Sequence, residues 1–165
     1  MKKLKLYFDA SAIGYLDEQT SPQEMNDMLT LWEEIKQGKY DAALSEVTLE
    51  EIGAIANIEK LSTLTDYLTE ITYDIINVNT EVKRVANLVR TNQLLISDKH
   101  ENDRLHIGCA VVSGCDVLVS YNYKHLVNVG TIKGVRAISQ LGGYGNLDIM
   151  PAAMLIQKDG ESDAN

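Results

Sequence analysis

Three carboxylates in this chain stand at positions that predict a divalent-metal site. Asp9 directly follows an apolar strand, Asp103 opens an apolar helix, and Glu51 lies among apolar residues after a second strand. Hard oxygen ligands of this kind suit Mg²⁺ or Mn²⁺, which keep several waters and accept phosphate oxygens as remaining ligands. A bound ion of this type polarises a phosphodiester and activates water for its hydrolysis.

A helical wheel over residues 46–58 selects Glu51 among the glutamates of that segment. Glu51 falls between Ile58 and Ile55 on the apolar arc, whereas Glu46 and Glu50 lie on the solvent arc. Burying a carboxylate without a partner costs several kcal/mol or forces it neutral. Glu51 is therefore expected to have a cation, hydrogen-bond donors or a metal beside it.

Each aspartate also has a purely structural alternative. Asp9 and Asp103 stand where a helix N-cap would lie, and Asp is common at that position, although Asn102 competes for it beside Asp103. Asp116 precedes a strand, at the opposite edge of the predicted sheet, and is interpreted as a turn residue. Carboxylates brought within roughly 4 Å repel by about 4 kcal/mol per pair at an effective dielectric near 20, so a close cluster needs a cation or a proton.

The elements that must position these acids alternate between strands and helices along the chain. The predicted strands are 3–8, 41–45, 73–78, 116–120 and an edge strand at 147–150. The predicted helices are a short one after Asp9, then 22–37, 46–58, 59–70, 81–93, 103–112 and 130–141. This order predicts a three-layer α/β/α fold with a mostly parallel sheet of four or five strands. In such sheets the functional site lies beyond the carboxyl ends of the strands.

Size and composition indicate one domain. The chain has 165 residues, 45% of them apolar, which is enough for a full core. Residues 157–165 are polar and acidic and are predicted to be disordered, which leaves a domain over 1–156. No apolar run approaches the roughly 20 residues of a membrane span, and no signal-peptide pattern opens the chain. A cytoplasmic location is expected.

Cysteine content and charge limit the classes of function. Cys109 and Cys115 are too few for a disulfide framework, and with His106 and His125 they match no common zinc-ligand spacing. The net charge of −9 disfavours nonspecific binding to a polyanion. Residues 83–136 nevertheless hold eight Lys/Arg and four Asp/Glu, a net of 8 − 4 = +4. This excess is either ordinary solvated charge or the side on which a nucleic acid would bind.

Three segments resemble the PIN-domain ribonuclease family, close to the VapC type of toxin. They are Phe8-Asp-Ala-Ser-Ala-Ile, then Ser45-Glu-Val-Thr-Leu-Glu-Glu-Ile, and Asp103-Arg-Leu-His-Ile-Gly-Cys-Ala followed by Asp116-Val-Leu-Val-Ser-Tyr-Asn-Tyr-Lys-His-Leu. The last segment is the most specific, and together they span most of the chain. The resemblance implies a compact α/β/α fold and Mg²⁺- or Mn²⁺-dependent cleavage of single-stranded RNA. It also implies that the acids of these segments, Asp9, Glu51 and Asp103, bind the metal.

The chain departs from the family pattern just after the fourth strand. Many PIN domains carry a fourth acid there, whereas this chain offers Asn122 and, three residues on, His125. Asn122 is expected to hold a metal-bound water or a substrate oxygen, and His125 to bind phosphate when protonated. Lys124, Arg104 and Lys99 are candidate contacts to the RNA backbone. Three formal charges in place of four disfavour tight binding of a second metal and leave catalytic activity open.

The leading hypothesis is a metal-dependent ribonuclease, the toxin of a type II toxin–antitoxin pair. The family implies a cognate antitoxin partner and a homodimer. The alternative is a catalytically weak or inactive PIN-like module that binds RNA or a protein, which the missing fourth acid and the charge of −9 favour. A response-regulator receiver is a third hypothesis, but the chain lacks paired acids after the first strand and an evident site lysine.

Overall fold

The computed structural model describes residues 2–156 and contains one fully parallel sheet. Its five strands are β1 (Lys5–Phe8), β2 (Asp41–Ser45), β3 (Asp74–Ile76), β4 (Val117–Val119) and β5 (Asp148–Met150). Their order is β3-β2-β1-β4-β5, so β1 lies at the centre, and every neighbouring pair is parallel. The carboxyl ends of the strands therefore all meet at one edge of the sheet, as predicted.

Helices connect the strands and cover both faces of the sheet. They are α1 (Ala10–Gly14), α2 (Pro22–Lys36), α3 (Glu46–Gly53), α4 (Ile58–Thr69), α5 (Thr80–Thr91), α6 (Glu101–Val112) and α7 (Val129–Leu141), with short 3₁₀ turns at Tyr15–Asp17, Asp98–His100 and Ala152–Met154. Within residues 2–156, each helix is too short or too polar to cross a bilayer.

Alternate side chains of the central strand enter two separate cores. Leu6 and Phe8 pack in one hydrophobic cluster with Trp32 of α2, whereas Tyr7 packs in the other with Ile107 of α6. This alternation is what a strand with both faces covered requires. The predicted three-layer α/β/α fold is confirmed.

The segment after β2 differs from its prediction as one helix over 46–58. Helix α3 ends at Gly53, and Asn57 caps a new helix by accepting a hydrogen bond from the Lys60 amide at 3.1 Å. The first turn of α4 therefore begins at Ile58, which is exposed and does not continue the apolar face of α3. The helical wheel was wrong over its last turn, because Asn57 satisfies a backbone donor better as an N-cap than inside a helix.

Asp116 has the structural role that its position predicted. Its carboxylate accepts a hydrogen bond from the backbone amide of Lys5 at 2.8 Å, which links the beginnings of β4 and β1. It lies at the amino edge of the sheet, away from the carboxyl ends of the strands. The predicted tail at 157–165 falls outside the described residues, and the domain boundary at 156 stays a prediction.

Candidate active site at the carboxyl edge of the sheet

Asp9 lies directly after β1 and is almost fully buried, with 4% of its surface exposed. Its Oδ1 accepts hydrogen bonds from the Ala12 amide at 2.9 Å and the Ser11 hydroxyl at 2.7 Å, so it caps α1. Its Oδ2 accepts from the Ser120 hydroxyl at 2.5 Å. A carboxylate offers about four acceptor positions, so three donors leave room for one more ligand. The Asp9 side chain can therefore cap α1 and still offer one acceptor position to a metal.

Ser120 was missed by the sequence reasoning, although it follows β4 as directly as Asp9 follows β1. Its hydroxyl donates to Asp9 and accepts from the Asn122 amide at 3.0 Å. The Ser11 hydroxyl similarly accepts from the Tyr121 amide at 3.0 Å while it donates to Asp9. Through these hydrogen bonds, Ser11 and Ser120 link the Asp9 carboxylate to the backbone of residues 121–122, which follow β4.

Asp103 lies in the first turn of α6, which begins two residues earlier, and it is half-buried. The alternative role as a helix N-cap does not apply to Asp103, because His100 occupies the N-cap position. Burial raises the pKa of the Asp103 carboxyl, and Asp9 raises it further, whereas His106, His125 and His100 act to lower it. Within residues 2–156, no hydrogen bond, lysine or arginine holds this carboxylate. Burial therefore disfavours the charged form of this carboxyl, and the charge of Asp9 adds to that effect.

Glu51 contacts His106 and is less buried than the wheel predicted, with 35% of its side chain exposed. Its Oε1 lies 2.5 Å from His106 Nε2. His106 is 2% exposed and follows Asp103 by three residues on α6, so both side chains lie on one helix face. The expectation that Glu51 has a partner is met, but by a histidine of α6.

The three acids are related only indirectly and, within residues 2–156, do not form a metal site. Asp9 influences the pKa of Asp103, and Glu51 reaches the same helix face through His106. Across residues 2–156, no group of three His, Cys, Asp or Glu side chains has metal-binding geometry. The donor chemistry nevertheless fits a hard divalent cation, because such an ion would compensate the charge that burial makes costly at Asp103. Asp9, Glu51 and Asp103 as metal ligands stay a prediction.

The chain after β4 holds Asn122 in a turn. Asn122 Oδ1 accepts from the His125 amide at 3.1 Å, and its backbone oxygen accepts from the Leu126 amide at 2.9 Å. The expectation that Asn122 holds a metal-bound water or a substrate oxygen stays a prediction, with its NH₂ and the second lone pair of Oδ1 as the groups that could do so.

Lys124 and Lys99, the candidate contacts to RNA phosphates, are exposed and have no ion pair within residues 2–156.

All three histidines of the chain surround Asp103. The rings of His100 and His125 pack at a centroid distance of 4.2 Å and an angle of 53°. Both ring nitrogens of His100 are shielded from solvent and have no hydrogen-bond partner within residues 2–156. Burial, followed by the neighbouring His125, lowers the pKa of His100. The sequence reasoning did not select His100, because nothing local distinguishes it from a surface histidine.

Arg104 does not serve as a contact to the RNA backbone, which corrects the prediction. Its side chain is buried, with 5% exposed. Its Nη1 donates to the backbone oxygens of Leu95 and, at 2.8 Å, Ser97. Leu95 has a positive φ of 50°, a backbone conformation that few non-glycine residues adopt. Arg104 therefore stabilises the connection between α5 and α6.

The two cysteines form part of the core. Both are buried and free, and burial raises the pKa of Cys109 to about 11 and that of Cys115 to about 12. Thiols with such pKa values are protonated and unreactive near neutral pH. They match the expectation of free structural thiols.

Comparison with known proteins gives a relationship of fold. No protein-family model matches the sequence, and no curated protein matches it. A chain of the DNA-bound VapBC2 complex from Rickettsia felis is similar, with a TM-score of 0.54 and 17% identity over 88% of this chain and 97% of that chain. A chain of the DNA-bound VapBC complex from Salmonella typhimurium gives 0.55 and 15% identity over 88% and 98%. The PIN-like fold predicted from the three sequence segments is confirmed.

Proposed function

We propose that this chain is a metal-dependent ribonuclease that cleaves single-stranded RNA. The observation that carries the proposal is the pair formed by Asp9, directly after the central strand, and Asp103, in the first turn of α6. Asp103 is half-buried, burial and then the charge of Asp9 raise its pKa, and it has no lysine or arginine partner within residues 2–156. A fold does not need such an unfavourable pair for stability, and perturbed acids in this position are typical of functional sites.

Each residue of the site has a distinct proposed role. When bound, Mg²⁺ or Mn²⁺ supplies Lewis-acid polarisation of the phosphodiester and an activated water. Asp9, Asp103 and Glu51 hold the cation, and Ser11 and Ser120 keep the Asp9 carboxylate in one orientation through their hydroxyl donors.

The substrate contacts lie at the exit of β4. The Asn122 NH₂ can donate to a substrate oxygen, since its Oδ1 is bonded to the His125 amide. Lys124 and Lys99 are exposed and can contact RNA phosphates, and His125 can do so when protonated. Arg104 is buried and is not among these contacts.

The biological setting is proposed from the similar structures. Both are VapBC complexes bound to DNA, so we propose that this chain acts as the toxin of a type II pair and binds a cognate antitoxin. A homodimer and a cytoplasmic location remain predictions. Co-expression with the product of an adjacent small reading frame, followed by co-purification, tests the antitoxin part separately from the chemistry.

Cleavage of a labelled single-stranded RNA pool by purified protein, with Mn²⁺, Mg²⁺ or EDTA, tests the proposal. We expect cleavage that requires metal and falls at least about 100-fold in Asp103→Asn, because losing even an outer-shell partner of a metal typically costs 10–100-fold. Glu101→Gln is the matched control, since Glu101 is an exposed acid in the same helical turn. Metal-independent cleavage, or full activity in Asp103→Asn, would contradict the proposal.

A binding module without catalysis is the second candidate function. Two observations favour it: the position after β4 carries the amide Asn122 in place of an acid, and within residues 2–156 no group of three His, Cys, Asp or Glu side chains has metal-binding geometry. This candidate predicts that the protein retains single-stranded RNA in a filter-binding assay, without cleavage and without measurable Mn²⁺ binding by calorimetry. Mn²⁺ binding that is lost in Asp103→Asn would reject it.

A further inference from the structure

The hydrogen bond between Glu51 and His106 is the outer link of a buried polar chain. His106 Nδ1 lies 2.6 Å from the Tyr7 hydroxyl, which donates to Ser45 Oγ at 2.7 Å and lies 3.3 Å from Thr48 Oγ1. Tyr7 is completely buried at the centre of the sheet. The chain thus runs from the middle of β1 to the half-exposed Glu51 carboxylate.

This polar chain connects the elements that carry the three acids. Tyr7 lies on β1, two residues before Asp9, and His106 follows Asp103 on α6. Ser45 ends β2 and caps α3, and Thr48 lies in the first turn of α3. The Thr48 hydroxyl also donates to the Phe8 carbonyl at 2.9 Å, next to Asp9. The buried Tyr7 hydroxyl therefore contacts Thr48 of α3, the helix that carries Glu51, and His106 of α6, the helix that carries Asp103.

The imidazole of His106 is held at both nitrogens. A carboxylate only accepts hydrogen bonds, so Nε2 carries the hydrogen in its contact with Glu51. Nδ1 shares a hydrogen bond with the Tyr7 hydroxyl, and which atom donates is set by the tautomer of His106, because Tyr7 has one hydrogen for both Ser45 and His106. His106 therefore has no nitrogen left for a metal, and its ring cannot turn without breaking a buried bond. A rigid donor of this kind fixes one oxygen of Glu51 and leaves the second without a hydrogen bond within residues 2–156.

We propose that His106, anchored by Tyr7, is a positioning residue that orients Glu51 as the third ligand of the metal site. The inference rests on the proposed function, since it assumes that a divalent cation binds at the carboxyl edge. Hydrogen bonds to ligating carboxylates stabilise the ligand geometry before the ion arrives. His106 acts through Glu51 and does not itself contact the metal or the RNA.

The test measures Mn²⁺ affinity by calorimetry in the full chain, without RNA. We expect His106→Leu to weaken Mn²⁺ binding about 10–100-fold. His106→Gln, which can still donate to Glu51, should recover part of that loss. Tyr7→Phe, which releases only the inner nitrogen, should have a smaller effect of a few-fold. Thermal denaturation in EDTA reports whether each variant folds. If His106→Leu does not fold, His106→Gln and Tyr7→Phe provide the test.

A double-mutant cycle separates positioning from a general structural effect. If His106 acts through Glu51, His106→Leu weakens Mn²⁺ binding in the wild type but adds nothing in a Glu51→Gln background. An equal loss in both backgrounds, or wild-type affinity in the folded His106 variants, would overturn the inference. Unchanged affinity in Glu51→Gln would overturn it as well. If the wild type binds no Mn²⁺ at all, the proposed function fails instead, and the two failures are thereby distinguished.

Discussion

The two edges of the sheet both carry acidic side chains, but within residues 2–156 only the amino edge pairs acids with lysines. At the amino edge, where the strands begin, Lys5 Nζ lies 3.0 Å from an Asp74 oxygen, and Lys3 Nζ lies 3.6 Å from an Asp41 oxygen. Each acid there has a cation or a backbone donor beside it. These charges are solvated and paired, as is ordinary for a protein surface.

At the carboxyl edge, within residues 2–156, Asp9, Glu51 and Asp103 have no lysine or arginine partner, and Glu51 contacts His106 instead. Asp9 accepts only neutral donors, and within residues 2–156 Asp103 has neither a hydrogen bond nor a lysine or arginine beside it. A cavity of about 390 Å³ opens at the amino edge, where it is lined by Lys3, Lys5 and Lys36, so the volume of a cleft alone would favour that edge. We propose the carboxyl edge because its acids have no lysine or arginine partner within residues 2–156.

The largest expected difference between the edges is in activity. Asp9→Asn should reduce metal-dependent RNA cleavage at least about 100-fold, because Asn keeps the cap of α1 but removes the charge that the cation needs. Asp74→Asn, the matched change at the amino edge, should leave cleavage within about two-fold. Initial rates on the same labelled RNA compare the two variants. Equal losses would mean that the comparison of the edges does not identify the site.

The next largest effect is on stability, through the packing that brings α6 to the site. A Cβ on Gly108 would lie 2.6 Å from the backbone oxygen of Val82 on α5. Gly108→Ala should therefore lower the free energy of unfolding by about 1–3 kcal/mol, in spite of the higher helix propensity of Ala. Urea denaturation in EDTA measures it. Gly130→Ala is the control, because its closest neighbour is an ordinary contact at 3.5 Å, and it should be neutral or slightly stabilising.

Positions along the strands and helices were predictable, whereas the contacts between them were not. Asp9 could be placed because parallel strands end at one edge of a sheet, whereas the helix that carries Asp103 begins two residues earlier than its pattern predicted, at Glu101. The hydrogen bond from Ser120 to Asp9 joins residues 111 apart, and that from His106 to Tyr7 joins residues 99 apart. No local pattern encodes such pairs, since they follow from how the completed sheet packs.

The error at Arg104 has the same origin. An arginine in a basic stretch next to a predicted site is reasonably interpreted as a phosphate contact. Its actual partners are the carbonyls of Leu95 and Ser97, in a connection whose backbone conformation the sequence did not reveal. The charge was visible in the sequence, but the direction of the side chain depended on the fold of the preceding loop.

A smaller effect concerns the cost of keeping Asp103 ionised. Burial raises its pKa above the ordinary value of 3.8, so this group favours folding below that value and loses its contribution as the pH rises through the folded pKa. Asp103→Asn should therefore raise the Tm in EDTA at pH 7 by about 1–4 °C, with the gain disappearing near pH 3. Calorimetric scans across this pH range measure it. A lower Tm at pH 7 would show that the favourable charge at the helix N-terminus outweighs dehydration.

The smallest effect is expected at the amino edge. Lys5→Gln removes the ion pair with Asp74, whose side chain is 72% exposed, so the free energy of unfolding should fall by less than about 1 kcal/mol. In 1 M salt this loss should vanish, because screening acts within about 3 Å at that ionic strength. The effect of Asp103→Asn should persist in the same salt, since dehydration of a half-buried carboxylate is not screened. If salt abolishes the stability effect of Lys5→Gln but not that of Asp103→Asn, the amino edge carries screened surface ion pairs and the cost at Asp103 comes from burial.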